Sequence, residues 1–183
     1  GEDLLFLESY KSSLRLANGK TIEFRPMLPS DEFSSRNFFY SLKEETIYNR
    51  YFSRIQNFTH ELMQKQWARI DYRNNMSILG LVQRGGHKEI MAIGSYVRMN
   101  DTMAEVAFVV REDFQGMGIG SYLLQTLEGI ARQNGISAFW ATLLRENKIM
   151  ERVFRKRYPR AGIVYDCGET YITMAFDQTA AEG

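Results

Sequence analysis

The sequence is poor in the residues that staple or metallate small proteins. A single cysteine, Cys167, excludes a disulfide framework and any cysteine-cluster zinc site. The two histidines, His60 and His87, offer little for a histidine-built metal centre, and no metal is expected. Three prolines, set against ten tyrosines and twelve phenylalanines, argue against disorder. Charge of one sign is missing too: 23 Lys and Arg face 22 Asp and Glu, and the net charge is +1. Such a balance gives no general pull on nucleic acid or anionic lipid. No apolar run approaches the roughly 18 residues that a bilayer-spanning helix needs. The amino end, Gly-Glu-Asp-Leu-Leu, has no basic region leading into an apolar stretch. No secretory signal is therefore expected, and the expected compartment is the cytoplasm. The missing initiator Met fits a processed chain or a piece of a longer one.

What is present is ordinary globular chemistry. Apolar residues make up 44% and charged ones 25% of 183 residues, which suits one domain with a sizeable core. The expected organisation is a single domain over 1–183, with 1–19 as an N-terminal extension and 177–183 as a frayed tail. No repeat or linker-like tract interrupts it.

Periodicity and punctuation give a coarse element order. A turn at Asn18-Gly19 precedes a short strand from Thr21 to Arg25. Pro29-Ser30-Asp31 offers a helix start with Ser30 or Asp31 as cap, and Phe33, Phe38, Phe39 and Leu42 supply its apolar side. Further helical segments are expected at 46–52 and from Thr59 through Leu62, Met63, Trp67 and Ile70. Strands follow at 76–82 and 89–97 around a glycine hairpin loop, then at 103–110, apolar nearly throughout. Ile119, Leu123, Leu124, Leu127, Ile130 and Ala131 share one helical face that stops at Asn134-Gly135. A strand at 136–144, a helix at 147–157 and a strand pair at 163–176 turning at Gly168 complete the order. The strand–helix–strand unit from Met103 to Leu144 implies a parallel pair, whereas the preceding strands read as a meander. The class is α+β (α/β in looser usage), with a mixed sheet.

One stretch carries chemistry: Val109-Val110-Arg111-Glu112-Asp113-Phe114-Gln115-Gly116-Met117-Gly118-Ile119-Gly120-Ser121. It joins the buried strand to the amphipathic helix. The first N–H groups of a helix have no partner within it, and with the positive end of the dipole they form an anion site. A dinucleotide fingerprint fails, because the sixth position is Ser121 counted from Gly116 and Leu123 counted from Gly118. A Walker A loop fails for want of Lys. Gln/Arg-x-x-Gly-x-Gly/Ala is satisfied by Gln115, Gly118 and Gly120. Alone, that pattern equally suits a turn that eases helix–sheet packing.

In context, this turn resembles the one on which GNAT N-acetyltransferases hold the pyrophosphate of acetyl-CoA. Ala104-Glu105-Val106-Ala107-Phe108-Val109-Val110 resembles the family's splayed central strand. Leu144-Arg145-Glu146-Asn147-Lys148-Ile149-Met150 resembles its later strand-to-helix junction. Gly19-Lys20-Thr21-Ile22-Glu23-Phe24-Arg25-Pro26, Pro29-Ser30-Asp31-Glu32 and Tyr48-Asn49-Arg50-Tyr51-Phe52 are similar to a branch of bacterial protein lysine acetyltransferase domains. Those domains are often fused to acyl-CoA synthetase-like or CoA-transferase-like regions. The likeness covers about residues 10–176.

The resemblance implies a GNAT fold, a mixed and mostly antiparallel sheet flanked by helices, with splayed central strands. It implies that backbone groups of Phe108, Val109 and Val110 pair with the pantetheine arm. Gln115, Gly116, Met117, Gly118, Ile119, Gly120 and Ser121 would cradle the pyrophosphate, and Asn147 would bond the cofactor near its thiol end. Glu105 falls where the branch carries its general base. Its own setting agrees, since it interrupts an otherwise apolar strand. The plainer reading is a Glu105 that faces solvent or pairs with Arg98. Two positions depart from the family: Phe154 stands where many members carry a Tyr general acid, and Tyr158-Pro159 replaces the usual Gly-Phe. Tyr158 is not a simple substitute for the missing acid.

Plainer readings suit the remaining candidates. Cys167 reads as a buried or inert thiol, His87 as solvated and His60 as a residue after a helix cap. Arg152, Arg155, Lys156, Arg157 and Arg160 read as a solvated basic face, or else as a contact for the cofactor's 3′-phosphate or an acidic partner. The expected function is acetyl-CoA-dependent transfer to an amine, a protein lysine first, with no metal, nucleic acid or membrane partner. Two alternatives stay open: a small amine or polyamine acceptor, and a non-catalytic acyl-CoA sensor governing a fused enzyme.

Overall fold

The computed structural model describes residues 7–42 and 72–178. Its framework is an eight-stranded sheet in the order β1-β2-β3-β4-β5-β6-β8-β7. The strands are β1 (Ser12–Arg15), β2 (Thr21–Pro26), β3 (Asn75–Arg84), β4 (His87–Arg98), β5 (Met103–Val110), β6 (Ala138–Leu144), β7 (Gly162–Asp166) and β8 (Glu169–Ala175). Every neighbouring pair is antiparallel except β5 with β6. The described helices of a full turn or more are α1 (Glu32–Ser41), α2 (Ile119–Gln133) and α3 (Lys148–Arg157).

Two apolar layers cover the two faces of the sheet. On one, Phe38, Phe39 and Leu42 at the end of α1 pack with Met27, Leu79, Ile93 and Val109. On the other, Leu123, Leu124 and Leu127 of α2 and Phe154 of α3 pack with Tyr96, Val106, Phe108 and Phe139. Alternation along β5 therefore sends Val106 and Phe108 toward α2, and Glu105, Ala107 and Val109 toward the α1 side. Close approach of α2 depends on Gly94, where an added Cβ would sit 3.1 Å from Leu127 Cδ1.

Several local expectations are corrected. Ser12–Arg15, within the stretch the sequence leaves unassigned, pairs with β2 as an edge strand. Phe33 is not on the apolar side of α1 but 73% exposed. Asp31 does not cap α1 with its side chain. Its carboxylate instead turns back to accept from both terminal guanidinium nitrogens of Arg25, at 2.7 and 2.8 Å, and from Leu28 N–H at 2.7 Å. Cys167 is exposed rather than buried, at a positive φ of 47° in the turn between β7 and β8. The helices expected at 46–52 and from Thr59, and the frayed end of the tail, lie outside the described residues.

Candidate functional site

The centre of the sheet comes apart on a defined line. β5 and β6 pair only at Met103–Ala138, Ala104–Phe139 and Glu105–Trp140. Beyond that point β5 continues beside β4 as far as Val110, and β6 continues beside β8 as far as Leu144. The two strands diverge, and a cleft of about 660 Å³ opens between them. That size lies within the usual range for small-molecule sites, roughly 300–1,000 Å³.

The backbone direction at this seam follows from one hydrogen bond. Arg111 N–H donates to Met91 O at 2.8 Å. By antiparallel alternation, Val109 and Ala107 then direct their N–H and C=O groups to β4. Phe108 and Val110 direct theirs the other way, into the gap left by β6. Gln115 Nε2 already donates to Val110 O at 3.0 Å, which ties the start of the glycine turn to the end of β5.

The glycines divide their work. Gly116 and Gly118 adopt φ of 77° and 84°, a region costly to other residues. Gly118 is also the residue from which α2 starts, with no side chain bonded to the helix end. The first intrahelical bond runs from Tyr122 N–H to Gly118 O, so Ile119, Gly120 and Ser121 keep N–H groups free of helical partners. All three residues line the cleft. Gly120 has an ordinary φ but no room, since a Cβ there would meet Phe108 Cε2 at 3.2 Å. Phe108 in turn packs on Phe154, ring centroids 5.4 Å apart.

Of the residues singled out from sequence, Phe108, Val109, Val110, Gln115, Gly116, Gly118, Ile119, Gly120, Ser121 and Asn147 line this one cleft. Met117 belongs to the turn but does not line the cleft, and it is 40% exposed. Asn147 caps α3, its Oδ1 accepting from Met150 N–H at 3.2 Å, which leaves its amide N–H₂ for other partners. Glu105 stands at the apex, in register with Trp140 at the last β5–β6 pair. Arg98, the partner weighed from sequence, donates to Asn74 Oδ1 and to the carbonyls of Asp101 and Asn134. Thr142 on β6 also lines the cleft, unforeseen from sequence, where it reads as one more β-branched strand residue.

Phe154 lines the cleft and is 1% exposed, so the site carries no phenol at that point. Tyr158 is engaged elsewhere. Fully buried, it donates to Glu128 Oε1 at 2.6 Å, and burial and that carboxylate push its pKa far up. Burial pulls Glu128 upward, but hydrogen bonds from Tyr158, Arg157 and Arg132 outweigh it and hold the carboxylate below the usual range. The basic residues on and after α3 are thus not one free face. Arg157 is spent on Glu128, and Arg155 approaches Glu151 at 3.5 Å and donates to Tyr165 at 3.1 Å. Among the described residues, no three His, Cys, Asp or Glu side chains gather as a metal would require.

These features fit a coenzyme A thioester. Open helix N–H groups suit its diphosphate, and backbone groups aimed into the gap suit its amide-bearing arm.

Comparison with known proteins agrees. Residues 42–158 match the family described as Acetyltransferase (GNAT) family. Acetyltransferase Pat of Mycolicibacterium smegmatis is 32% identical over 142 residues, 76% of this chain and 41% of that protein. The chain therefore spans about two fifths of Pat's length. Acetyltransferase PA5475 of Pseudomonas aeruginosa is 26% identical over 136 residues, 74% of this chain and 73% of that protein. Among solved structures, the GNAT domain of S. lividans PAT shares the fold with a TM-score of 0.73 at 23% identity, over 91% of this chain and 97% of that one. With a splayed β5–β6 seam, a glycine turn at its wide end and a family match over most of its length, the chain belongs to the GNAT acetyltransferase family.

Proposed function

We propose that this protein transfers an acetyl group from acetyl-CoA to the side-chain amine of a protein lysine, drawing on cytoplasmic acetyl-CoA. One observation carries the reading: the parting of β5 and β6 immediately after Glu105 and Trp140, with the glycine turn at the wide end of the cleft. The diphosphate takes the N–H groups of Ile119, Gly120 and Ser121. Met117 contributes its backbone to the same turn. The pantetheine arm runs along Phe108 and Val110 as a strand in place of β6, with Val109 shaping the wall. The Asn147 amide bonds the arm near its sulfur end. The thioester then lies toward the apex, beside Glu105.

The chemistry asks little more. A free lysine amine has a pKa near 10.4, so fewer than about one in a thousand is neutral at pH 7. Glu105 takes a proton from the incoming ammonium, directly or through water. The amine nitrogen attacks the thioester carbonyl, whose oxygen is polarised by backbone N–H groups at the splay. The C–S bond breaks, its electron pair stays on sulfur, and CoA leaves as the thiolate. Neither a covalent enzyme intermediate nor a metal is required. The lysine acceptor rests on the branch-level likeness to protein lysine acetyltransferase domains.

The direct test is incubation with labelled acetyl-CoA and an extract of the source organism, followed by identification of acetylated proteins and small amines. Label in protein lysines is expected. Label only in small amines would replace the acceptor, and no binding of CoA in calorimetry would overturn the site. A second reading has one observation in its favour. Phe154, where many relatives carry Tyr, suits an acyl-CoA sensor that binds but does not transfer, and acetyl-CoA binding without labelled product would select it.

A further inference from the structure

Two buried side-chain atoms among the described residues find no hydrogen-bond partner, and both are threonine hydroxyls, Thr142 Oγ1 and Thr170 Oγ1. A buried hydroxyl left unpaired costs roughly 1–3 kcal/mol. The two differ in position. Thr170 is in register with Leu143 and shares its face of the sheet, the side of α2 and α3, and it does not line the cleft. Thr142 does line the cleft and is 6% exposed. It stands two residues beyond Trp140, on the face that also carries Trp140 and Glu105. At about 3.3 Å per residue, it lies roughly 6.6 Å past the point where the strands part. Had the parallel pairing continued, its partner would be Ala107, which offers no side-chain polar group.

We propose that Thr142 Oγ1 is a hydrogen-bond donor to the sulfur of the bound thioester, and that it supports the departing thiolate where Phe154 cannot. This rests on the acetyl-transfer reading above and on its orientation, diphosphate at the glycine turn and acyl group at the apex. The step balances without a proton acid at the sulfur. The amine, having given its first proton to Glu105, forms the new C–N bond and loses its second proton to water, and the C–S pair collapses onto sulfur. The Thr142 hydroxyl donates a hydrogen bond to that sulfur as charge develops. It keeps its own proton, and the thiolate takes one from solvent after release. An orphaned donor in the resting protein thus gains its partner when substrate binds, and a stronger one as the bond breaks.

The test uses Thr142→Val, which keeps shape and removes the hydroxyl, with Thr142→Ser to restore it and Thr170→Val as the orphan outside the cleft. For transfer, Thr142→Val is expected to lower kcat at least about tenfold, the span of one hydrogen bond to a charged group. Its KM for acetyl-CoA should stay within about twofold, because the interaction strengthens only as charge forms. Thr142→Ser should recover most of kcat, and Thr170→Val should match the parent. A Thr142→Val enzyme with parental kcat overturns the proposal, as does a Ser variant as impaired as the Val one. A second measurement needs no turnover. A donor at the sulfur favours the thiolate, so CoA affinity should rise between about pH 7 and 10. That rise should be smaller in Thr142→Val and absent for desulfo-CoA in the parent. An unchanged rise in Thr142→Val overturns the donor role. Parent protein that binds CoA but transfers nothing would instead remove the enzymatic reading, leaving the pH arm to decide the donor.

Discussion

β6 has two edges, and they are finished differently. Toward β8 it is paired along its whole length, from Ala138–Ala175 to Leu144–Glu169. Toward β5 the pairing stops after Glu105–Trp140, although both strands run on. The residues are of the same kind on each side, so propensity does not separate the edges. The covalent path does. β8 reaches β6 after a tight hairpin with β7, whereas β5 leaves for the glycine turn and α2 before the chain returns as β6. Room for that turn and for Phe108 beneath Gly120 keeps the strands apart. An edge that ends in unpaired backbone costs stability unless something else completes it. The completed edge builds the protein, and the open one is where a ligand strand fits.

The sharpest way to break this contrast is to close the open edge. Gly120→Leu would place a side chain against Phe108, 3.2 Å from the new Cβ, and over the N–H groups at the start of α2. CoA affinity measured by calorimetry should fall about 100-fold, equivalent to ~2.7 kcal/mol. A Kd within about threefold of the parent would mean that CoA does not pass this turn.

Next in size is the residue at the apex. Glu105→Gln keeps shape and hydrogen bonding but removes the base, and turnover should drop at least about tenfold while CoA binding stays nearly intact. Steady-state kinetics alongside calorimetry separates the two. Parental turnover in that variant removes Glu105 from the chemistry.

The open edge was legible in the sequence for reasons that do not extend to everything around it. Gly116 and Gly118 are demanded by backbone angle and Gly120 by contact, and such constraints show as residue identity. α2 was legible because its apolar residues follow the helical period, and β5 because it is apolar nearly throughout. β1 was not: Ser12–Arg15 is an exposed edge strand without an alternating buried face. Phe33 was misassigned because counting apolar residues along α1 does not fix which of them turn outward. Asp31 looked like a cap because its neighbours fit one, yet Arg25 reaches it first through the fold. Thr142 carried no signal at all. Its unpaired hydroxyl depends on what stands across the seam, which only the tertiary structure decides.

The face behind the cleft should respond through stability. Glu128 is buried among donors from Tyr158, Arg157 and Arg132, and breaking such a group costs about 2–4 kcal/mol. Glu128→Gln should therefore lower Tm by roughly 5–15 °C. The sign of the pH dependence follows from the lowered pKa of Glu128. Its contribution is present above the ordinary carboxyl value of 4.5 and is lost as pH falls through the lower folded value. The stability gap between parent and Glu128→Gln should accordingly narrow below about pH 4.5. A gap that widens in acid would reverse the assignment.

The smallest expected effect lies on the completed edge, in the turn that lets β7 and β8 pair. Cys167 and Gly168 both have positive φ, 47° and 80°, the signature of a two-residue turn that favours Asn-Gly. The glycine is suited to it and the cysteine is not, since its Cβ crowds the left-handed conformation. Cys167→Asn should stabilise the protein by about 0.5 kcal/mol, a rise in Tm of roughly 1–2 °C, with kinetics unchanged. The thiol is exposed and packs no core, so nothing offsets the gain. A loss of stability would mean that the turn is not held in this conformation, and that the paired edge of β6 owes its register to its own ladder rather than to the hairpin behind it.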